Sequence, residues 1–217
     1  MLLMKKLVNQ EIVAYIEQNI YPVYDTFDKG HNSNHAKDVV SRSLKYYEFL
    51  NDDSIQIDMV FVIAAYHDIG NKIERKNHAY HSGQILLADT NLTKWFTAEQ
   101  IQMMAQACED HSTSSENPPR TIYGKIVSDA DKDNDIVIGL QRGWEFAKKH
   151  LPHMTEEEKV EDLHRELKKR FDDNGTVVFY ISSKDNQKFL QEMKKFSKDK
   201  AYFKESFYKI AKKENWI

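Results

Sequence analysis

Residues 67 and 68, His-Asp, close the run Met59-Val60-Phe61-Val62-Ile63-Ala64-Ala65-Tyr66, eight uncharged and mostly apolar residues. A segment of that composition is buried on most sides, and an acid at its end needs a compensating partner. A metal ion would compensate Asp68 and give a reason for the histidine beside it. Adjacent helical side chains diverge by about 100°, so His67 and Asp68 share an ion only if it lies off the helix end. Further ligands must then come from elsewhere. The candidates are His35 and an acid within Ser128-Asp129-Ala130-Asp131-Lys132-Asp133-Asn134-Asp135, where four acids fall within seven residues. Six of the nine histidines lie between His31 and His111, which points to one histidine-rich region. Cys108 is the only cysteine, so any metal must rest on His, Asp or Glu, and an internal disulfide framework is excluded.

The elements that must position these residues read almost entirely as helix. Leu7 to Phe27 places Val8, Ile12, Ile16 and Ile20 at helical spacing, with Pro22 ending or kinking it, and Ala36 to Leu50 repeats the pattern through Val40, Leu44 and Tyr47. A third helix is expected after Asn51-Asp52-Asp53-Ser54. Gly70 would end it in a left-handed position, leaving His67 and Asp68 in its last turn. A fourth covers about Asn77 to Ala88. A fifth opens on the capping box Thr97-Ala98-Glu99-Gln100 and runs to about Asp110. Ser112 to Pro119, with turn formers before two prolines, is a loop. The spacing predicts a sixth helix over Ile122 to His150 with a break near Gly139 or Gly143, and a seventh starting at the capping box Thr155-Glu156-Glu157-Glu158. Residues 176–181 have strand-like composition, though a lone strand without a partner is more often an extended connector or a buried helix start. Two charged helices complete the chain. The expectation is one all-α domain over 1–217, with a core at about 30–135 and a helical C-terminal extension at about 151–217.

Composition narrows the function. The chain has 217 residues, 41% hydrophobic, enough for a substantial core. A net charge of -3 with dispersed Lys and Arg argues against long nucleic acid as a partner. A phosphorylated small molecule remains possible if the site carries its own cations. No stretch approaches 18 unbroken apolar residues, and the opening MLLMKKLVNQEIV meets charge too early for a signal peptide. A cytoplasmic protein without membrane attachment is therefore expected.

His35, the His67-Asp68 pair followed by Ile69-Gly70, and Asp131 in Ala130-Asp131-Lys132 together resemble the H…HD…D signature of the HD-domain superfamily of metal-dependent phosphohydrolases. The resemblance covers about Gly30 to Asp135. It implies a helical bundle that holds a divalent ion on His35, His67, Asp68 and Asp131, with Asp129 as the alternative to Asp131. His78-Ala79-Tyr80-His81-Ser82-Gly83-Gln84-Ile85-Leu86 and Glu109-Asp110-His111 are similar to the pattern of superfamily members with two ions. That implies His78, with His81 as its alternative, and His111 as ligands of a second ion.

Imidazole and carboxylate donors suit Mn, Fe, Co, Ni or Zn, and a site that also offers water and phosphate oxygens accepts Mg. The implied activity is hydrolysis of a phosphate ester or anhydride of a small molecule, a nucleotide by preference, by a metal-activated water. Asp68 would touch both ions. Lys72, Arg75 and Lys76 follow the pair closely and are expected to hold phosphate oxygens, Lys72 as the catalytic cation. His31 is expected to contact substrate. No Gly-Tyr-Pro follows His111 and no Glu-Asp follows the signature, so resemblance to the cyclic-dinucleotide and alarmone branches stops short. The alternative function is a non-catalytic module that keeps the metal to sense a nucleotide. A homodimer is compatible with either.

Overall fold

The computed structural model describes residues 7–27, 32–112 and 117–217. Every regular element among them is helical, as the sequence patterns require. The chain divides into two compact units, Met1–Lys132 and Asp133–Ile217.

The first unit contains α1 (Gln10–Asn19), α2 (Tyr21–Tyr24), α3 (Ser33–Leu50), α4 (Ile57–Tyr66), α5 (His78–Ala88), α6 (Ala98–Asp110) and α7 (Ile122–Asp131). Two 3₁₀ helices, Ile69–Lys72 and Thr90–Lys94, flank α5. The apolar run of α4 explains the arrangement. A helix that is hydrophobic all round must be covered all round, and α1, α3, α5, α6 and α7 all pack against it. Met59 through Tyr66 are each no more than 1% exposed. With about 1.5–3 kcal/mol per fully buried large apolar side chain, α4 is the anchor of this unit. Its C-terminal end is consequently a fixed point from which His67 and Asp68 emerge.

The second unit comprises α8 (Ile136–His150), α9 (Glu156–Phe171), α10 (Lys184–Lys198) and α11 (Lys200–Lys213). Their inner faces build a separate aromatic-rich core that includes Trp144, Phe189, Phe196, Phe203 and Phe207. Both predicted capping boxes form. Thr97 and Gln100 exchange hydrogen bonds at the start of α6, and Thr155 and Glu158 do so at the start of α9.

Three expectations are corrected. The first predicted helix is two, because α1 stops at Asn19 and Pro22 sits in the first turn of α2, where its missing N–H costs nothing. The third ends at Tyr66, and Gly70 is no left-handed cap: no described glycine has positive φ. Gly70 is needed for space, since a Cβ there would lie 2.1 Å from the His78 carbonyl oxygen and 2.5 Å from the Ser82 amide nitrogen. The predicted sixth helix divides at 132–135 rather than at a glycine. Asp135 caps α8 by accepting from the Val137 and Ile138 amides, while Gly139 and Gly143 lie inside α8. Residues 176–181 follow the connector alternative of the sequence reading, not the strand. They are an extended connector held by the buried Asn186, whose side-chain amide donates to the Ile181 carbonyl at 2.8 Å. Ser112 and Asn117–Pro119 are non-helical, and the rest of that loop, 113–116, lies outside the described residues.

Candidate metal centre

Every candidate donor stands at a helix end. His35 is in the first turn of α3, where the Asn32 side chain accepts from the Asn34 and His35 amides. His67 caps the C-terminus of α4, and Asp68 follows it outside the helix. His78 opens α5, His111 caps the C-terminus of α6, and Asp131 is the last residue of α7. Five helices thus aim their termini at one point. Asp68 is 4% exposed, His67 is fully buried and His111 is 1% exposed, so the floor of the cluster is dry.

The donors fall into two groups that share Asp68. Its Oδ2 lies 3.7 Å from His35 Nε2 and 3.7 Å from His67 Nε2. Asp131 Oδ1 joins the same group, 3.1 Å from His35 Nε2 and 3.6 Å from His67 Nε2. The other oxygen of Asp68, Oδ1, faces His78 Nε2 at 3.2 Å and His111 Nε2 at 3.6 Å. Ligand bonds of about 2.0–2.2 Å place neighbouring donors of one ion about 3.0–3.5 Å apart. Both groups match that spacing with small adjustments. The donor sets His35–His67–Asp131 and His67–Asp68–His111 are each compact enough to hold an ion.

Hydrogen bonding at the far side of the rings supports a cation independently. His67 Nδ1 is 2.9 Å from the Ala64 carbonyl, His78 Nδ1 is 2.8 Å from the Arg75 carbonyl, and His111 Nδ1 is 2.6 Å from the Cys108 carbonyl. A carbonyl only accepts, so each Nδ1 carries a proton and Nε2 is the nitrogen turned inward, the one that would bind a metal. The Nε2 atoms of His78 and His111 are 3.3 Å apart. Two facing lone pairs at that distance repel unless a proton or metal ion lies beside them. Anchoring the distal nitrogen to a carbonyl is also how metal-binding histidines are commonly oriented.

The carboxylates and imidazoles of the cluster shift one another's proton affinity. Burial opposes ionisation of Asp68, but the His67 and His111 imidazoles outweigh it and hold the carboxyl below its usual range. Asp131 behaves alike: burial is outweighed by hydrogen bonds from His35 and His67, and the carboxyl is held well below the usual range. Burial would lower His111, yet Asp68 keeps it above the ordinary histidine value. Burial, then repulsion from His111, lowers His78.

The structure separates the alternatives left open by the sequence. His78 faces Asp68, whereas His81 Nε2 lies 3.7 Å from Glu74 Oε2. Asp131 meets the histidines, while the fully buried Asp129 pairs with Lys132 Nζ at 3.2 Å. Lys72, at the end of the first 3₁₀ helix, and Arg75 and Lys76 after it are exposed. His31 lies outside the described residues. Arg120 is one residue that sequence reasoning missed. Its Nε donates to both oxygens of Asp110 at 2.9 and 3.1 Å, and its Nη2 donates to Glu109 Oε2 at 2.7 Å and to the Gln106 carbonyl. It thereby ties down the end of α6 beside His111, across a loop that leaves no local signal.

The family model of the HD domain matches residues 32–134, a segment that contains all six donors. The chain carries an HD domain. HD domains bind divalent metal ions, and the His/Asp clusters within the matched segment could hold one. The HD domain match falls almost wholly in the first unit and leaves α8 to α11 outside it. Neither a curated protein nor a solved structure matches the chain. Among the described residues no helix is long and apolar enough to cross a membrane.

Proposed function

We propose that this HD domain is a metal-dependent phosphohydrolase that cleaves a phosphate ester or anhydride of a small molecule, with nucleotides as the substrate class implied by the sequence resemblance. One observation carries the reading. Asp68 turns one oxygen to a group completed by His35, His67 and Asp131 and the other to a group with only His78 and His111. Three protein donors leave coordination positions for water and substrate, the mark of a catalytic rather than a structural site. Divalent ions bound there, Mn, Fe, Co, Ni, Zn or Mg, would supply Lewis-acid polarisation of a phosphate oxygen and a lowered pKa for water.

The chain's own residues do the rest. The carbonyl anchors on His67, His78 and His111 keep three rings in the tautomer that presents Nε2. The buried floor excludes bulk water and strengthens every charge interaction within it. Lys72, Arg75 and Lys76 supply three exposed cations within eight residues after Asp68 and would take the non-reacting phosphate oxygens. Asp129 pairs with Lys132, the residue that follows Asp131.

A panel of nucleotides and sugar phosphates, assayed with protein reconstituted with Mn or Co, tests the proposal. Release of inorganic phosphate, pyrophosphate or a nucleotide product that stops with chelator and returns with metal is the expected result. Fully metallated protein that hydrolyses nothing in the panel, yet binds a nucleotide by calorimetry, would replace this reading with that of a nucleotide-sensing module.

A further inference from the structure

The end of α4 is not an ordinary helix terminus. In a continued helix the Asp68 amide would donate to the Ala64 carbonyl, but that carbonyl accepts from His67 Nδ1. Asp68 has left helical geometry, with φ -111° and ψ 3°. Its amide, buried with the rest of the cluster, donates instead to the hydroxyl of Tyr24 at 3.2 Å. The same hydroxyl donates its proton to the Ala65 carbonyl at 2.9 Å. One oxygen therefore satisfies both a donor and an acceptor released where the helix breaks, groups that cost free energy if buried without partners. Tyr24 is fully buried and packs edge-on against Phe27, so its hydroxyl is held in place by its own ring. On the other side of the same residue, the Asn71 amide and side chain both donate to the Asp68 carbonyl, at 3.0 and 2.9 Å. The Asp68 backbone is gripped from two directions.

We propose that Tyr24 is a positioning residue of the metal centre, its hydroxyl standing in for the interrupted helical hydrogen bond and fixing Asp68 with Oδ2 toward one donor group and Oδ1 toward the other. The inference rests on the reading of the cluster as a metal centre. It assigns a role to a residue of α2, a four-residue element outside the HD domain match, which begins at residue 32.

Tyr24→Phe removes the hydroxyl and keeps the ring. Tyr123→Phe is the matched control, because the Tyr123 hydroxyl accepts from the Gln56 amide at 2.9 Å, at the opposite end of α4 and away from the donors. Both variants lose a phenol-to-backbone bond of one helix, so both should lower thermal stability. Cobalt binding separates them. Tyr24→Phe should bind Co(II) about 10–100-fold more weakly, as loss of an outer partner typically does, with visible absorption bands altered in position or intensity. Tyr123→Phe should retain the wild-type affinity and spectrum. Tyr24→Phe with wild-type cobalt affinity and spectrum would overturn the proposal and leave Tyr24 as core packing. Absence of cobalt uptake by the wild type would instead overturn the metal reading itself, and this inference with it. If Tyr24→Phe does not fold, amide exchange in the wild type decides. The Asp68 amide should be protected in the metal-free chain and gain protection on adding Zn, whereas fast exchange that Zn leaves unchanged would refute the clamp.

Discussion

Gly70→Ala should unseat α5 from the turn that carries Asp68. The new Cβ would lie 2.1 Å from the His78 carbonyl oxygen, 2.5 Å from the Ser82 amide nitrogen and 2.8 Å from His81 Cβ. The first two are backbone atoms of α5 and cannot rotate away. Ordinary contact requires the turn and the helix to part by about 1 Å. That movement also breaks the hydrogen bond from the Gly70 amide to Ser82 Oγ, now 2.9 Å long. Overpacking of this kind costs about 1–3 kcal/mol, and a lost hydrogen bond adds about 0.5–1.5 kcal/mol. For a chain of this length, about 2–4 kcal/mol lowers Tm by roughly 5–15 °C. The same movement takes His78 Nε2 away from Asp68 Oδ1, now 3.2 Å off, so the second donor group should lose its ion first. Differential scanning calorimetry and cobalt titration read both effects. Gly139→Ala serves as the contrast: its Cβ would meet only Met193 Cε at 3.7 Å, inside α8, and it should stabilise by about 0.5–1 kcal/mol. A Gly70→Ala protein within about 1 °C of the wild type and with full cobalt uptake would refute the argument.

Three further outcomes follow from the site. In the metal-free chain the raised pKa of His111 stabilises the fold at low pH and ceases to do so as pH rises through that value, above the ordinary 6.5. The lowered pKa of Asp68 acts oppositely, contributing above the ordinary 3.8 and fading as pH falls below it. The lowered pKa of His78 favours the fold only above the ordinary 6.5, so metal-free protein should be most stable near neutral pH, by urea titration at a series of pH values. Metal affinity should rise with pH because His111 must give up its proton to bind, and calorimetry in two buffers should detect that proton release. Lys72→Ala should keep its metal but lose about ten- to a thousandfold in turnover, equivalent to about 1.4–4 kcal/mol of transition-state stabilisation. Undiminished turnover would return Lys72 to the solvated surface.

What the sequence made legible was local or strongly patterned. Thr97 with Gln100 and Thr155 with Glu158 each form a capping box because both partners lie within one turn. The run Met59 to Tyr66 could be read as a segment buried on most sides, and His67-Asp68 at its end as needing a cation. What stayed hidden depends on distant chain. Gly70 resembles a C-terminal cap until α5 is seen lying against it, and Asp135 looks like one more acid in a charged run until its cap divides the predicted sixth helix. Gly143 looks like a breaker but gives room to Leu163, whose Cδ1 would be 2.4 Å from an added Cβ. The links from Tyr24 to Asp68 and from Arg120 to Asp110 span 44 and 10 residues without periodicity to reveal them.

The central claim is that one carboxylate serves two donor groups, and metal per chain tests it most directly. Wild-type protein, Asp68→Ala and His111→Ala should be saturated with Mn or Co, desalted and measured by elemental analysis, with circular dichroism to show that helix content is kept. Up to two ions per chain are expected for the wild type, about one for His111→Ala, whose first group of His35, His67, Asp68 and Asp131 is untouched, and little metal for Asp68→Ala. Asp68→Ala protein that retains the wild-type metal content would contradict the account.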